Sequence, residues 1–203
     1  GLRKSLFLAD ANALVAPMPR LRDWLDVIDE TRCLPRAGIY SFIDAFDVHH
    51  KSLADWSELA ARGVRRVYIG LESGDAALLR FLRKPGSVGD VINAVTTLKA
   101  AGVAASVIIM TGVGGDRYAA DHVTNTIKAL NTMPLGAGDI IYFSPFVDHP
   151  GSEYGQLAAA AGIRPLTDAE VAAQEAMIRA GLRPHDPAHP PKYALYDIRE
   201  FIY

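Results

Sequence analysis

The sequence predicts an α/β fold with a mostly parallel sheet and outer helices, and three observations support this class. Short apolar runs rich in β-branched residues recur along the chain, separated by segments with helical periodicity. The runs start 28 to 37 residues apart and are nearly continuous, which is typical of strands buried on both faces and joined by crossover helices. The phrases ARGV (61–64) and AAGV (100–103) each place glycine between a helix and the next strand.

Five strand and helix pairs follow one another in the first three quarters of the chain. The predicted strands begin near Leu6, Ile39, Val67, Ala104 and Ile140. Apolar residues at helical spacing predict helices around 21–28, 53–59, 78–82, 91–98 and 123–130. Five units do not close an eight-stranded barrel, which takes about 250 residues. We therefore expect residues 1–155 to form a partial (βα) barrel with an open sheet.

The pattern changes after Pro145. One helix is predicted around 152–161, and a second over 167–182 begins at the capping box formed by Thr167 and Glu170. A Pro-rich loop then leads to YALYDIREFIY, which we expect to pack back on the body as a covering segment. Residues 156–203 are thus predicted to be a helical extension and covering tail, without a separate second domain.

Composition excludes several functional classes. The chain has 21 Lys and Arg against 23 Asp and Glu, and no block of like charge favours a nucleic-acid partner. The apolar run 103–113 is too short to span a bilayer, and no signal peptide is evident, so we expect a soluble, cytoplasmic protein without a membrane partner. The single cysteine, Cys33, cannot form an internal disulfide or a thiolate metal site alone.

Polar residues follow every predicted strand. In parallel sheets ligands bind outside the carboxyl ends of the strands, so these residues predict a site for a small molecule, although any one of them could simply cap a helix. They are Asp10 and Asn12, Ser41 and Asp44, Glu72 to Asp75, Thr111 to Asp116, and Ser144 with Pro145.

Two alternative kinds of site remain open. TGVGGDR resembles a phosphate-binding loop but lacks the Lys-Ser/Thr of a P-loop and the glycine spacing of a dinucleotide site. His49 and His50, with Asp44 and His149, could instead form the metal centre of a barrel hydrolase. Adjacent histidines point in different directions on a strand or helix, which argues against that centre.

Three segments resemble the core of the radical S-adenosylmethionine (SAM) enzymes. They are LFLADANAL (6–14), the long run IGLESGD to TGVGGD (69–116), and FSPFVDHPGSEY (143–154). Their order and spacing are similar to the branch with oxygen-independent coproporphyrinogen oxidases and methylthiotransferases. The family has a partial barrel of six strands, and the resemblance implies that this chain holds that barrel without its first strand and helix. It also implies, for the intact enzyme, a SAM cofactor, a 4Fe-4S cluster and oxidoreductase chemistry by reductive cleavage of SAM to a 5′-deoxyadenosyl radical.

The resemblance also implies roles for individual residues. Glu72 and Ser73 would lie near the ribose or amino-acid part of SAM, and Asp44 would contact the substrate. Asp10 and Asn12 would face the methionine part of SAM or the substrate. The residues expected around the adenine are Ile108, Met110 and Gly112 on one side and Ser144 and Pro145 on the other. No catalytic residue and no metal ligand is assigned.

The chain departs from the family at the cluster loop. Family members bind the cluster through Cys-x-x-x-Cys-x-x-Cys after their first strand, whereas this chain begins at what resembles the second strand and has one cysteine. We therefore expect no cluster in this chain, which would be a fragment inactive by itself. The alternative is a non-catalytic module that binds SAM or a partner. Loss of the first strand would expose the edge of the next, which predicts self-association through that edge.

Overall fold

A six-stranded sheet organises the chain in the computed structural model, which describes residues 5–9, 12–31, 38–44 and 51–196. The strands are β1 (Leu6–Leu8), β2 (Ile39–Ile43), β3 (Val64–Glu72), β4 (Ala104–Thr111), β5 (Ile140–Pro145) and β6 (Lys192–Leu195). Their order is β1-β2-β3-β4-β5-β6, and the pairs β1/β2, β2/β3 and β5/β6 are parallel. The predicted α/β class with a parallel, open sheet is confirmed.

Seven α-helices lie in the described residues, one at each predicted place. They are α1 (Met18–Glu30), α2 (Leu53–Ala61), α3 (Ala76–Phe81), α4 (Val88–Ala100), α5 (Gly115–Thr132), α6 (Glu153–Ala160) and α7 (Asp168–Gly181). A short 3₁₀ helix, Ala13–Val15, follows β1. The predicted capping box at Thr167 and Glu170 starts α7, and Ser52 with Asp55 forms another at α2.

The two predicted glycine stops are confirmed by backbone geometry. Gly63 has φ +100° after α2, and Gly102 has φ +77° after α4. Both values lie in the left-handed region that glycine adopts without a steric penalty. α2 ends at Ala61 and α4 at Ala100, each two residues before its glycine, and β3 and β4 begin one and two residues after it.

The sixth strand was not predicted, because its residues were expected in a covering segment. β6 pairs with β5 in register, with Ile140 opposite Lys192 and Phe143 opposite Leu195. Most of its side chains are exposed, so backbone hydrogen bonds rather than apolar burial define it, and no apolar run marks it in the sequence. The guanidinium of Arg179 lies 4.2 Å from the ring centroid of Phe143 and 5.3 Å from that of Tyr193, bridging both strands to α7.

The chain divides into two compact units. The first comprises residues 1–70 and 89–107, and the second comprises residues 71–88 and 108–203. Each has its own buried core, with Trp56 and Ile69 among the large buried side chains of the first and Leu78 and Phe143 among those of the second. The domain boundary at residues 155 and 156 remains a prediction. Among the described residues, no helix has the length and apolar character needed to cross a bilayer.

Candidate functional site

In the first unit, Asn12 and Asp44 form a pair although 32 residues separate them. The Asn12 side-chain amide donates to Asp44 Oδ2 at 2.7 Å, and its carbonyl oxygen accepts the Asp44 backbone N–H at 2.6 Å. Both side chains are half-buried. The structure thus brings together two predicted site residues from the ends of β1 and β2.

Lys51 is a buried cation close to the 3₁₀ helix Ala13–Val15, and sequence reasoning did not single it out. Its Nζ donates to the carbonyl oxygen of Ala16 at 2.8 Å, directly after that helix. Burial lowers the pKa of Lys51 below its ordinary value, while Asp55 raises it. The hydrogen bonds of the Asn12 and Lys51 side chains therefore hold the two ends of this 3₁₀ helix. The predicted site residues Asp10, His49 and His50, and also Cys33, lie outside the described residues.

In the second unit, Glu72 stands at the carboxyl end of β3 in an unusual backbone conformation. Its φ is +59°, and the Ser73 N–H donates to the Leu71 carbonyl oxygen at 2.7 Å, closing a three-residue turn around it. A positive φ at a residue with a Cβ costs about 1–3 kcal/mol. Such conformations persist where the surroundings impose them, and they cluster at functional sites.

The Glu72 carboxylate pairs with a cation from beyond α3. Lys84 Nζ donates to Glu72 Oε1 at 3.1 Å, with the two side chains 28% and 16% exposed. Lys84 was missed at the sequence level because nothing in its spacing distinguishes it from an ordinary surface lysine. The structure thus provides a partly buried anion and cation side by side.

Ser73, by contrast, is fully buried. Its Oγ lies 2.8 Å from Nδ1 of His122, a histidine on α5 that is also fully buried. Burial lowers the pKa of His122 to about 4, and the charge of Asp75 opposes that shift. His122 is therefore neutral at physiological pH and was also missed by sequence reasoning.

The glycine-rich segment after β4 uses its backbone amides inside the protein. Gly112 N–H donates to Gln174 Oε1 at 2.8 Å, Gly114 N–H to the Tyr154 hydroxyl at 3.0 Å, and Asp116 N–H to the Arg164 carbonyl oxygen at 3.0 Å. Burial raises the pKa of Tyr154, so its hydroxyl is protonated at neutral pH. Amides that are already paired do not favour the phosphate-binding alternative.

The ends of β4 and β5 lie together in the second unit. Phe146 N–H donates to the Thr111 carbonyl oxygen at 2.8 Å. Of the predicted adenine residues, Ile108, Met110, Gly112 and Pro145 are half-buried and Ser144 is buried. Of these five residues, Gly112 is the one that lines a nearby cavity of about 250 Å³, together with Phe146 and Tyr154. The lining of this cavity is mainly apolar.

The metal-hydrolase alternative has no support from the described ranges. Within residues 5–9, 12–31, 38–44 and 51–196, no cluster of three or more His, Cys, Asp or Glu side chains is arranged to hold a metal ion. Asp44 is engaged with Asn12, and His149 is exposed.

Three solved structures have folds similar to that of this chain. An archaeal Elp3 from Methanocaldococcus infernus, lacking residues 1–46, superposes on 95% of this chain with a TM-score of 0.65 and 15% identity. Coproporphyrinogen III oxidase (HemN) from Escherichia coli, described as a radical SAM enzyme, matches 91% of the chain with a TM-score of 0.64 and 11% identity. Methylornithine synthase (PylB) matches 88%, with a TM-score of 0.56 and 16% identity. At these identities the likeness shows the fold alone.

The chain spans about half the length of these structures: 50% of Elp3, 44% of HemN and 48% of PylB. No curated protein matches the sequence. The sequence pattern of the Radical SAM superfamily matches residues 14–127, which is more than half of the chain. The chain therefore belongs to the Radical SAM superfamily.

Proposed function

We propose that this chain is the SAM-binding part of a radical SAM enzyme, and that Glu72 and Lys84 bind the cofactor's amino-acid end. The observation that carries the proposal is the Glu72–Lys84 pair at the carboxyl end of β3. An α-amino acid group carries one ammonium and one carboxylate, and a paired Glu and Lys can bind both by charge-assisted hydrogen bonds. Membership of the superfamily supports SAM as the ligand.

The remaining proposed contacts rest on the resemblance of the sequence to the family. In the second unit, Ile108, Met110 and Gly112 with Ser144 and Pro145 are proposed to surround the adenine, beside the cavity next to Gly112. From the resemblance of the sequence, Asp10 and Asn12 are proposed to face the methionine part of SAM or the substrate, and Asp44 is proposed to contact the substrate.

The residues fit SAM but not the iron–sulfur cluster. A 4Fe-4S cluster of this family needs three thiolates, and the sequence has one cysteine. In the intact enzyme, a reduced cluster would supply the single electron that cleaves SAM into methionine and a 5′-deoxyadenosyl radical. This chain's own residues bind SAM, hold its charged end and exclude water from its adenine.

The binding function is tested by calorimetry of SAM with the full 203-residue chain. Glu72→Gln should weaken binding at least tenfold, about 1.4 kcal/mol, because it removes the anion of the pair. Glu175→Gln is the matched control, since Glu175 is also paired with a cation, Arg179, at 2.7 Å on α7. Absence of SAM binding, or equal losses in both variants, would contradict the proposal.

A second candidate function is a non-catalytic SAM-binding or partner-binding module, which the single cysteine favours. The two candidates differ in the longest natural gene product that contains this sequence. If that protein, reconstituted with iron and sulfide without oxygen, releases 5′-deoxyadenosine on reduction, the enzyme is supported. SAM binding without that product would favour the module.

A further inference from the structure

The strained turn at Glu72 rests on one face of α5. His122, Asn125 and Thr126 stand three and four residues apart, so they share a face of the helix. His122 and Thr126 are fully buried, on the side of α5 that carries its core residues. Polar side chains at core positions need partners, because a buried polar group without one is costly.

Each of these three side chains bonds a different residue of the segment that follows Glu72. The Ser73 hydroxyl contacts His122 Nδ1 at 2.8 Å, and Gly74 N–H donates to Thr126 Oγ1 at 2.9 Å. The Asn125 side-chain amide donates to Asp75 Oδ2 at 2.8 Å. Three successive residues, 73 to 75, are thus fixed by one helix face.

Steric fit locks the same segment against α5. A Cβ at Gly74 would lie 2.2 Å from the Asn125 carbonyl oxygen and 2.5 Å from the Thr126 nitrogen. Both are backbone atoms of a helix, which cannot yield as a flexible side chain does. The turn therefore cannot shift toward the helix, and the hydrogen bonds keep it from moving away.

The hydrogen bonding also fixes the tautomer of His122. Ser73 Oγ already accepts the Asp75 N–H at 2.9 Å, so its own O–H is available to donate to His122 Nδ1. Nε2 then carries the proton, and it has no hydrogen-bond partner among the described residues. The opposite tautomer would leave both Nε2 and the Ser73 O–H unsatisfied, which is the costlier arrangement.

We propose that His122 is a positioning residue for the SAM site: with Asn125 and Thr126, it imposes the turn that directs the Glu72 carboxylate to its ligand. This inference rests on the proposed function in so far as the ligand is SAM. His122 itself does not contact the cofactor. It acts through Ser73, whose amide closes the turn around Glu72.

The test compares His122→Asn with His122→Leu in the full chain. The asparagine side chain can place an oxygen near the position of Nδ1 and accept the Ser73 O–H, whereas leucine cannot. We expect His122→Leu to weaken SAM binding about tenfold and His122→Asn to stay within about twofold of the parent. Leu130→Val, a packing change on the same helix away from the turn, should leave the affinity unchanged.

A double-mutant cycle separates positioning from general damage. In the Glu72→Gln background, His122→Leu should cause little further loss of affinity, because the positioned group is already gone. An equal loss with and without Glu72 would overturn the proposal. If the parent chain does not bind SAM, the proposed function fails, and the crystal structure of His122→Leu still decides the positioning role. Retention of positive φ at Glu72 in that variant would overturn it.

Discussion

Lowering the pH should destabilise the protein through His122 before its carboxylates protonate. The folded-state pKa of His122 is about 4, because the ring is buried, whereas an exposed histidine titrates near 6.5. As the pH falls from about 6.5 toward 4, the unfolded chain binds a proton that the folded chain does not, so stability is lost in that window. At 1.36 kcal/mol per pH unit, the loss from this one side chain is about 3 kcal/mol.

The assay is urea unfolding at several pH values between 7.5 and 4.5, with His122→Asn as the reference. The asparagine variant keeps a partner for Ser73 but cannot titrate, and the other histidines are common to both proteins. Over this pH range the difference in unfolding free energy between parent and variant should therefore change by about 2.5 kcal/mol, in the direction that favours the variant in acid. A difference that stays constant with pH would refute the assigned burial and protonation state of His122.

Three further predictions concern separate parts of the molecule. Gly74→Ala should destabilise the protein by about 3 kcal/mol, because the added Cβ would overlap the backbone of α5. Gly136→Ala is the control, and it should cost far less stability in the same urea assay because its Cβ would lie 3.4 Å from the nearest atom. Thr167→Ala removes the capping hydroxyl of α7 and should cost about 1 kcal/mol, with Thr167→Ser retaining most of the stability. The chain should self-associate through β1, whose Phe7 is 42% exposed, and Phe7→Lys should shift light scattering toward the monomer; a parent that is monomeric at all concentrations would contradict this.

The sequence was sufficient to predict β1 to β5 and the helices α1 to α7, because local patterns in the chain mark these elements. Apolar runs such as IIYF and the Thr167–Glu170 capping box have a period or a spacing that can be read directly. β6 escaped prediction because it contributes hydrogen bonds but little buried apolar surface. Residues Glu72 to Asp75 were predicted to border a ligand site, whereas the structure shows that Gly74 packs against a helix of the protein itself.

The candidate site was predicted less completely. Asn12 and Asp44 were identified separately, and only the structure shows that they bond each other. Lys84 and His122 were missed because their partners lie 12 and 49 residues away, and no local pattern encodes such pairings. One signal was available: His122 and Thr126 occupy positions on the buried face of an amphipathic helix, where polar residues require a specific partner.

The rotation of α5 about its own axis, counted from its first residue, limits how this sequence can vary in length. The helix begins at Gly115, where the backbone is packed against Arg164, and seven residues later it presents His122 to the turn at Glu72. Each residue advances an α-helix by about 100°. A single-residue insertion between these two points would rotate His122, Asn125 and Thr126 together away from residues 73–75, although it would change none of them. Length in this stretch is therefore under tighter constraint than side-chain identity on the exposed face of the same helix.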